Sequence, residues 1–214
     1  MPRKKRPLER DDTVVRDANL IVIATEDQYA PKVYFDRFKL SRVKCKILPA
    51  EEGRSSPQGI VDRLHAFRNE FDIGENDQLW YCGDLDHWAE PNHIQGLMGA
   101  LRECRQSGYG VAISNPCFEI WLLFHFRHLS AEIGCSAEHV EAELRRHAKG
   151  YSKRSGCVTH ITTEMVDRAI ERARTMDTSP DDLIPPTATS RVYLIVDELK
   201  CRQTLELKNP LPRR

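Results

Sequence analysis

Apolar residues follow two rhythms that take turns along the first two thirds of the chain. Short runs rich in β-branched, aliphatic and aromatic residues predict strands at Asn19 to Thr25 (NLIVIAT), Val43 to Leu48 (VKCKIL), Gln78 to Cys82 (QLWYC) and Tyr109 to Ile113 (YGVAI). The second of these alternates with lysines, as a strand nearer the sheet edge does. Between the runs, Pro31 to Leu40, Pro57 to Phe71 and Pro91 to Arg105 carry apolar residues at helical spacing, with Pro31 placed in a first turn. Glu51 to Ser56 reads as a loop. After Ser114-Asn115-Pro116 comes the run CFEIWLLFHF, well short of the ~20 residues of a membrane helix. Ser114 or Asn115 is expected to cap a largely buried helix there, with Pro116 as its first residue.

Repeated strand–helix alternation predicts an α/β fold with a parallel, doubly wound sheet of about four strands flanked by helices. Past about residue 130 the strand signal stops. Helices are expected over 136–149, 162–175 and 189–203, separated by Gly150, Gly156 and the stretch from Ser179 to Pro186. The expected organisation is a basic, disordered tail over 1–17, an α/β core over 18–130, and a helical extension over 131–214 packed on that core.

Composition changes this picture little. With 32 basic and 32 acidic residues the net charge is +0, so global basicity offers no argument for nucleic-acid binding and only local patches do. The seven cysteines are odd in number and form no C-x-x-C pair, against a disulfide framework or a structural zinc site. The basic start, with Arg3, Lys4, Lys5 and Arg6, lacks the apolar segment of a signal peptide. A cytoplasmic protein with no membrane partner is the expectation.

Chemistry is expected where ligands of doubly wound sheets bind, beyond the carboxyl ends of the strands. The first strand runs into Thr25-Glu26-Asp27 and the third into Gly83-Asp84-Leu85-Asp86-His87. In a 2-1-3-4 strand order those two strands are neighbours, and their acids meet. Clustered carboxylates repel one another unless a divalent cation compensates them. If the third strand stays extended, Asp84 and Asp86 face one side and suit two oxygen ligands of a Mg²⁺ (or Mn²⁺), with Glu26 completing the shell through water or serving as acid or base. Asp27 reads as a turn or capping residue. His87 would bind phosphate, relay a proton or pair with an Asp. Asn115 and Glu119, near the expected helix start, are candidate ligand-facing groups, while Phe118 and Trp121 are expected in the core. Lys149, Lys153 and Arg154 beside Tyr151 form either a phosphate-binding patch or a solvated turn.

The stretches IVIATEDQYAPKVYF, LWYCGDLDHW and AISNPCFEIWLLFHF together resemble the RloB-like family over roughly residues 17–128, with a weaker likeness at Gly150 to Lys153 and in PPTATSRVYLIVDEL. The resemblance implies a Toprim-like core in which Glu26, Asp84 and Asp86 support Mg²⁺-dependent phosphoryl chemistry. It also implies a nuclease effector in anti-phage defence, often beside an AAA-type ATPase. Two positions depart from the family pattern: Thr25-Glu26-Asp27-Gln28 stands for C-E-G-E, and Trp88 replaces the third acid of a D-x-D-x-D. Three functions follow as alternatives. The first is a metal-dependent nuclease acting on RNA or DNA. The second is a receiver-like phosphoacceptor module using Glu26, Asp27, Asp84 and Ser114, which would need a Lys after a fifth strand. The third is a partner-binding subunit whose metal site has decayed.

Overall fold

The computed structural model describes residues 19–50, 55–129, 136–148, 150–152 and 160–208. The tail over 1–17, the loop residues 51–54, and Lys149, Lys153, Arg154 and Gly156 lie outside them. In chain order the elements are β1 (Asn19–Thr25), α1 (Ala30–Phe35), β2 (Phe38–Lys39), β3 (Val43–Leu48), α2 (Pro57–Glu70) and β4 (Gln78–Asp84). A 3₁₀ turn (Asp86–Ala89), α3 (Ile94–Gln106), β5 (Gly110–Asn115), α4 (Glu119–Phe124) and α5 (Ala137–His147) follow. The described chain closes with α6 (Thr163–Met176), β6 (Thr189–Ser190), α7 (Val192–Arg202) and β7 (Glu206–Leu207). Local chemistry accounts for the clearer boundaries. Ser56 caps α2 by accepting the Gly59 N–H at 3.1 Å, with Pro57 next in line. Gly108, at φ +74°, makes the left-handed turn from α3 into β5.

Five strands form one sheet in the order β3-β1-β4-β5-β6. The first four are parallel, and they are the four predicted runs in the predicted order. Because side chains alternate across a strand, β1 feeds two cores at once. Ile21 and Ile23 face a layer built from α1, α4, α5, α6 and α7. Leu20, Val22 and Ala24 face α2 and α3, whose Ile60, Leu64, Leu97 and Leu101 are fully buried. The architecture is a Rossmann-like α/β sandwich, and α5, α6 and α7 share one continuous apolar core with the sheet. No helix among the described residues is long and apolar enough to cross a membrane.

Three expected elements are corrected, each by a long-range pairing. The helix expected over Pro31 to Leu40 stops at Phe35, because Phe38 and Lys39 pair antiparallel with Leu207 and Glu206 near the far end of the chain. Strands do not end at residue 130: Thr189 and Ser190, expected to open a helix, instead form β6 antiparallel to Asn115 and Ser114, and the helix α7 starts after them. The helix expected from Pro116 starts only at Glu119, since β5 continues through Asn115 to meet β6. Ser114 and Asn115 therefore cap no helix. The Ser114 hydroxyl bonds that of Ser190 at 2.8 Å, and the Asn115 amide donates to the Pro185 carbonyl at 3.1 Å.

A buried ion pair pins the segment that leads back to β5. The Arg191 Nε and Nη2 donate to the two carboxylate oxygens of Asp177 at 2.9 and 3.0 Å, and the Tyr193 hydroxyl donates to the same group at 3.1 Å. Arg191 also donates to the Ser179 carbonyl, holding the loop that supplies Pro185 to Asn115. Removing one partner of such a pair strands a buried charge. Asp177→Ala is therefore expected to cost about 3–5 kcal/mol in urea unfolding, whereas Asp167→Ala, which breaks an exposed pair with Lys200, should cost less than about 1 kcal/mol.

Candidate functional site

Two central parallel strands end side by side, and their exits define the site. The Glu26 N–H continues the β1–β4 ladder by donating to the Cys82 carbonyl at 3.1 Å. The next donor along β4, the Asp84 N–H, is taken by the Glu26 side chain, whose Oε2 accepts it at 3.1 Å. The other carboxylate oxygen, Oε1, accepts from the Trp88 indole Nε1 at 2.9 Å. Both oxygens of Glu26 are thus aimed by fixed donors. Gly83 lets β4 reach this point: a Cβ there would stand 2.7 Å from the Tyr81 ring.

β4 does not continue extended through Asp86. It ends at Asp84, and Asp86 opens the 3₁₀ turn with its N–H on the Pro116 carbonyl at 2.9 Å. Leu85 is tied to the same segment, donating to the Ser114 carbonyl at 2.8 Å. The two aspartates are therefore not same-face neighbours of one strand. Asp84 is half-buried at the strand end, while Asp86 is exposed on a turn stapled to the exit of β5. Asp27 takes the turn role expected of it, accepting the backbone N–H groups of Tyr29 and Ala30 at the start of α1. His87 belongs to the turn, and its side chain lies outside the described residues, as does Lys153.

Glu119 opens α4, the helix that follows β5. It is 2% exposed and its Oε1 accepts the Tyr151 hydroxyl at 2.8 Å. Burial, and then the neighbouring Glu119 carboxylate, push the Tyr151 phenol well above its usual range, which keeps it a donor.

The electrostatics converge on Asp84. Burial is the largest cause holding its carboxyl well above the ordinary value, followed by the charges of Glu26, Glu119, Asp27 and Asp86 in that order. All five influences act in the same direction. Cys82 and Cys117 register the same field: burial raises both thiols most, and the surrounding carboxylates raise them further. Among the described residues no three His, Cys, Asp or Glu side chains form a ready-made cation cage.

The structure thus brings Glu26 onto the backbone of Asp84, lets the charges of Asp86 and Glu119 bear on the Asp84 carboxyl, and turns Asn115 away to Pro185. Sequence reasoning missed three contributors. Trp88 counted only as a missing acid, Tyr151 only as part of a basic patch, and Arg63 of α2, which donates to the Thr25 carbonyl at 2.7 Å, carried no signal at all.

The sign of the Asp84 effect gives a test. Below the ordinary value of 3.8 the folded and unfolded chains both hold its proton, and the site costs nothing. Above it the unfolded chain ionises while the folded one resists, so stability falls as pH rises toward the elevated folded value. In EDTA at pH 7, Asp84→Asn is therefore expected to unfold at higher urea concentration than wild type. At pH 3 the two proteins should unfold alike in urea.

No curated protein and no solved structure matches the chain. A protein-family model does, over residues 21–199, a span that runs from β1 into α7 and includes all four converging carboxylates. On that match, the chain belongs to the family described as RloB-like protein.

Proposed function

We propose that this protein is a divalent-cation-dependent phosphodiesterase acting on RNA or DNA, the cytoplasmic nuclease effector of a defence system that works beside an AAA-type ATPase. The observation that carries the reading is the meeting of two strand exits, where the Glu26 side chain accepts the Asp84 N–H and the charges of Glu26, Glu119, Asp27 and Asp86 all bear on the Asp84 carboxyl. Structural acids rarely crowd in this way without compensation. The donor set is all oxygen, which suits Mg²⁺ or Mn²⁺ rather than zinc. Mg²⁺ keeps several of its waters and is bound through one or two carboxylates, so Asp84 and Asp86 would be enough to hold it.

In this reading Asp84 and Asp86 would hold the cation, whose bound form supplies charge stabilisation at a scissile phosphate. Glu26, fixed by two donors, would accept a proton from an attacking water. Glu119, held by Tyr151, adds negative charge that favours the cation-loaded state and disfavours the empty one. The receiver-like alternative lacks support. Ser114 is fully buried on Ser190, and β6 is followed by Arg191, which is committed to Asp177.

The test is cleavage of a panel of tRNA, mRNA, single-stranded DNA and duplex DNA with Mg²⁺ or Mn²⁺, with and without the ATPase. Wild type is expected to cleave one class, and Asp84→Asn to lose at least about 10²-fold in rate, the scale of losing one preorganised electrostatic group. Undiminished cleavage by Asp84→Asn would exclude this site. A wild-type protein that binds its ATPase yet neither binds Mn²⁺ nor cleaves would instead be a partner-binding subunit.

A further inference from the structure

The turn that carries Asp86 also carries Trp88, and the Trp88 N–H reaches across to Glu26 from the neighbouring strand exit. An indole has one donor and no acceptor, so at this position it can ligate nothing and can only orient what it touches. What it touches is Oε1 of Glu26, whose Oε2 is already held by the Asp84 N–H. A carboxylate with one oxygen held can swing about that bond, whereas two donors from two different elements leave it one orientation. The ring is half-buried, packed against the apolar cluster that the sheet shares with α2 and α3, and edge-on to His93. The donor is therefore fixed by packing and not merely by the bond it makes.

Resting on the cation-dependent reading above, we propose that Trp88 is a positioning residue of the site, which acts through Glu26 and couples cation binding at the aspartates to the orientation of that carboxylate. Three short links make the coupling. Asp86 and Trp88 share one four-residue turn. Trp88 grips Glu26, and Glu26 grips the backbone of Asp84. Any ligand that reorders the Asp84–Asp86 segment must alter the surroundings of the indole, and any loss of the indole N–H must loosen the carboxylate facing the ligand. Residues that orient a metal ligand from behind in this manner typically change affinity about 10- to 100-fold when altered.

The experiment titrates the full chain with MnCl₂, following heat and Trp fluorescence, for wild type, Trp88→Phe, Glu26→Gln and the double variant. Phenylalanine keeps an apolar ring at the position and removes the donor, and Trp88→His restores a ring N–H as a second variant. Expected results are saturable Mn²⁺ binding by wild type with a change in indole emission, and about tenfold weaker binding by Trp88→Phe at an unchanged melting temperature. The emission change should be mostly lost in that variant. In the Glu26→Gln background Trp88→Phe should add little further loss, since its effect runs through that carboxylate, and Trp88→His should recover part of the affinity. Wild-type affinity in Trp88→Phe, or losses that simply add in the double variant, would overturn the role of Trp88 while leaving the cation site standing. Failure of wild type to bind Mn²⁺ at all would overturn both readings.

Discussion

Repulsion among carboxylates at the end of β4 is the constraint around which the rest of this structure is arranged. Asp84 sits where two parallel strands stop, and four other acids bear on it. Left to itself, a cluster like this would push apart or take up protons. The fold instead holds three of these acids with neutral donors: the Asp84 N–H and the Trp88 indole on Glu26, the Tyr151 hydroxyl on Glu119, and backbone N–H groups on Asp27. None of these donors cancels the negative charge. In the reading proposed above, a bound divalent cation would supply that compensation.

Supporting that arrangement takes most of the chain. The order β3-β1-β4-β5 makes β1 and β4 neighbours, so Glu26 and Asp84 can meet, and it places β5 where its exit can staple the Asp86 turn. β6 then extends β5 by the antiparallel pairing that delays α4 until Glu119. Farther out, the Arg191–Asp177 pair fixes the loop that receives the Asn115 amide. Helices α5 to α7, distant from the acids in sequence, contribute through the apolar layer beneath the sheet. Tyr151 lies in that same layer and so links it directly to Glu119.

How much of this could be read from sequence depended on the range of the interaction. Runs such as NLIVIAT and QLWYC declare themselves because β-branched and aromatic residues sit together locally, and acids directly after buried strands stand out for the same reason. The places of Glu26 and Asp84 at the exits of β1 and β4 were legible on that ground, whereas the turn that takes Asp86 off the strand was not. The short pairs β2–β7 and β5–β6 were not, because two-residue strands have no period and their partners lie far along the chain. The Ser-Asn-Pro start of the buried helix was a sound local capping signal, overridden by the pairing of Asn115 with Thr189. Glu119 was noticed for its closeness to a helix start, whereas its place is set by burial and by a tyrosine 32 residues away. Trp88 could not be read as a donor at all, since its partner Glu26 is 62 residues distant.

The proposal stands or falls on whether a divalent cation binds at the Asp84 carboxylate. Anomalous diffraction from crystals of the wild-type protein grown with Mn²⁺ addresses it most directly. The account predicts one strong manganese peak in direct contact with the Asp84 carboxylate, with Glu26 still bonded to Trp88. A Mn²⁺-free crevice in crystals that hold the ion elsewhere, or at saturating concentration, would contradict it.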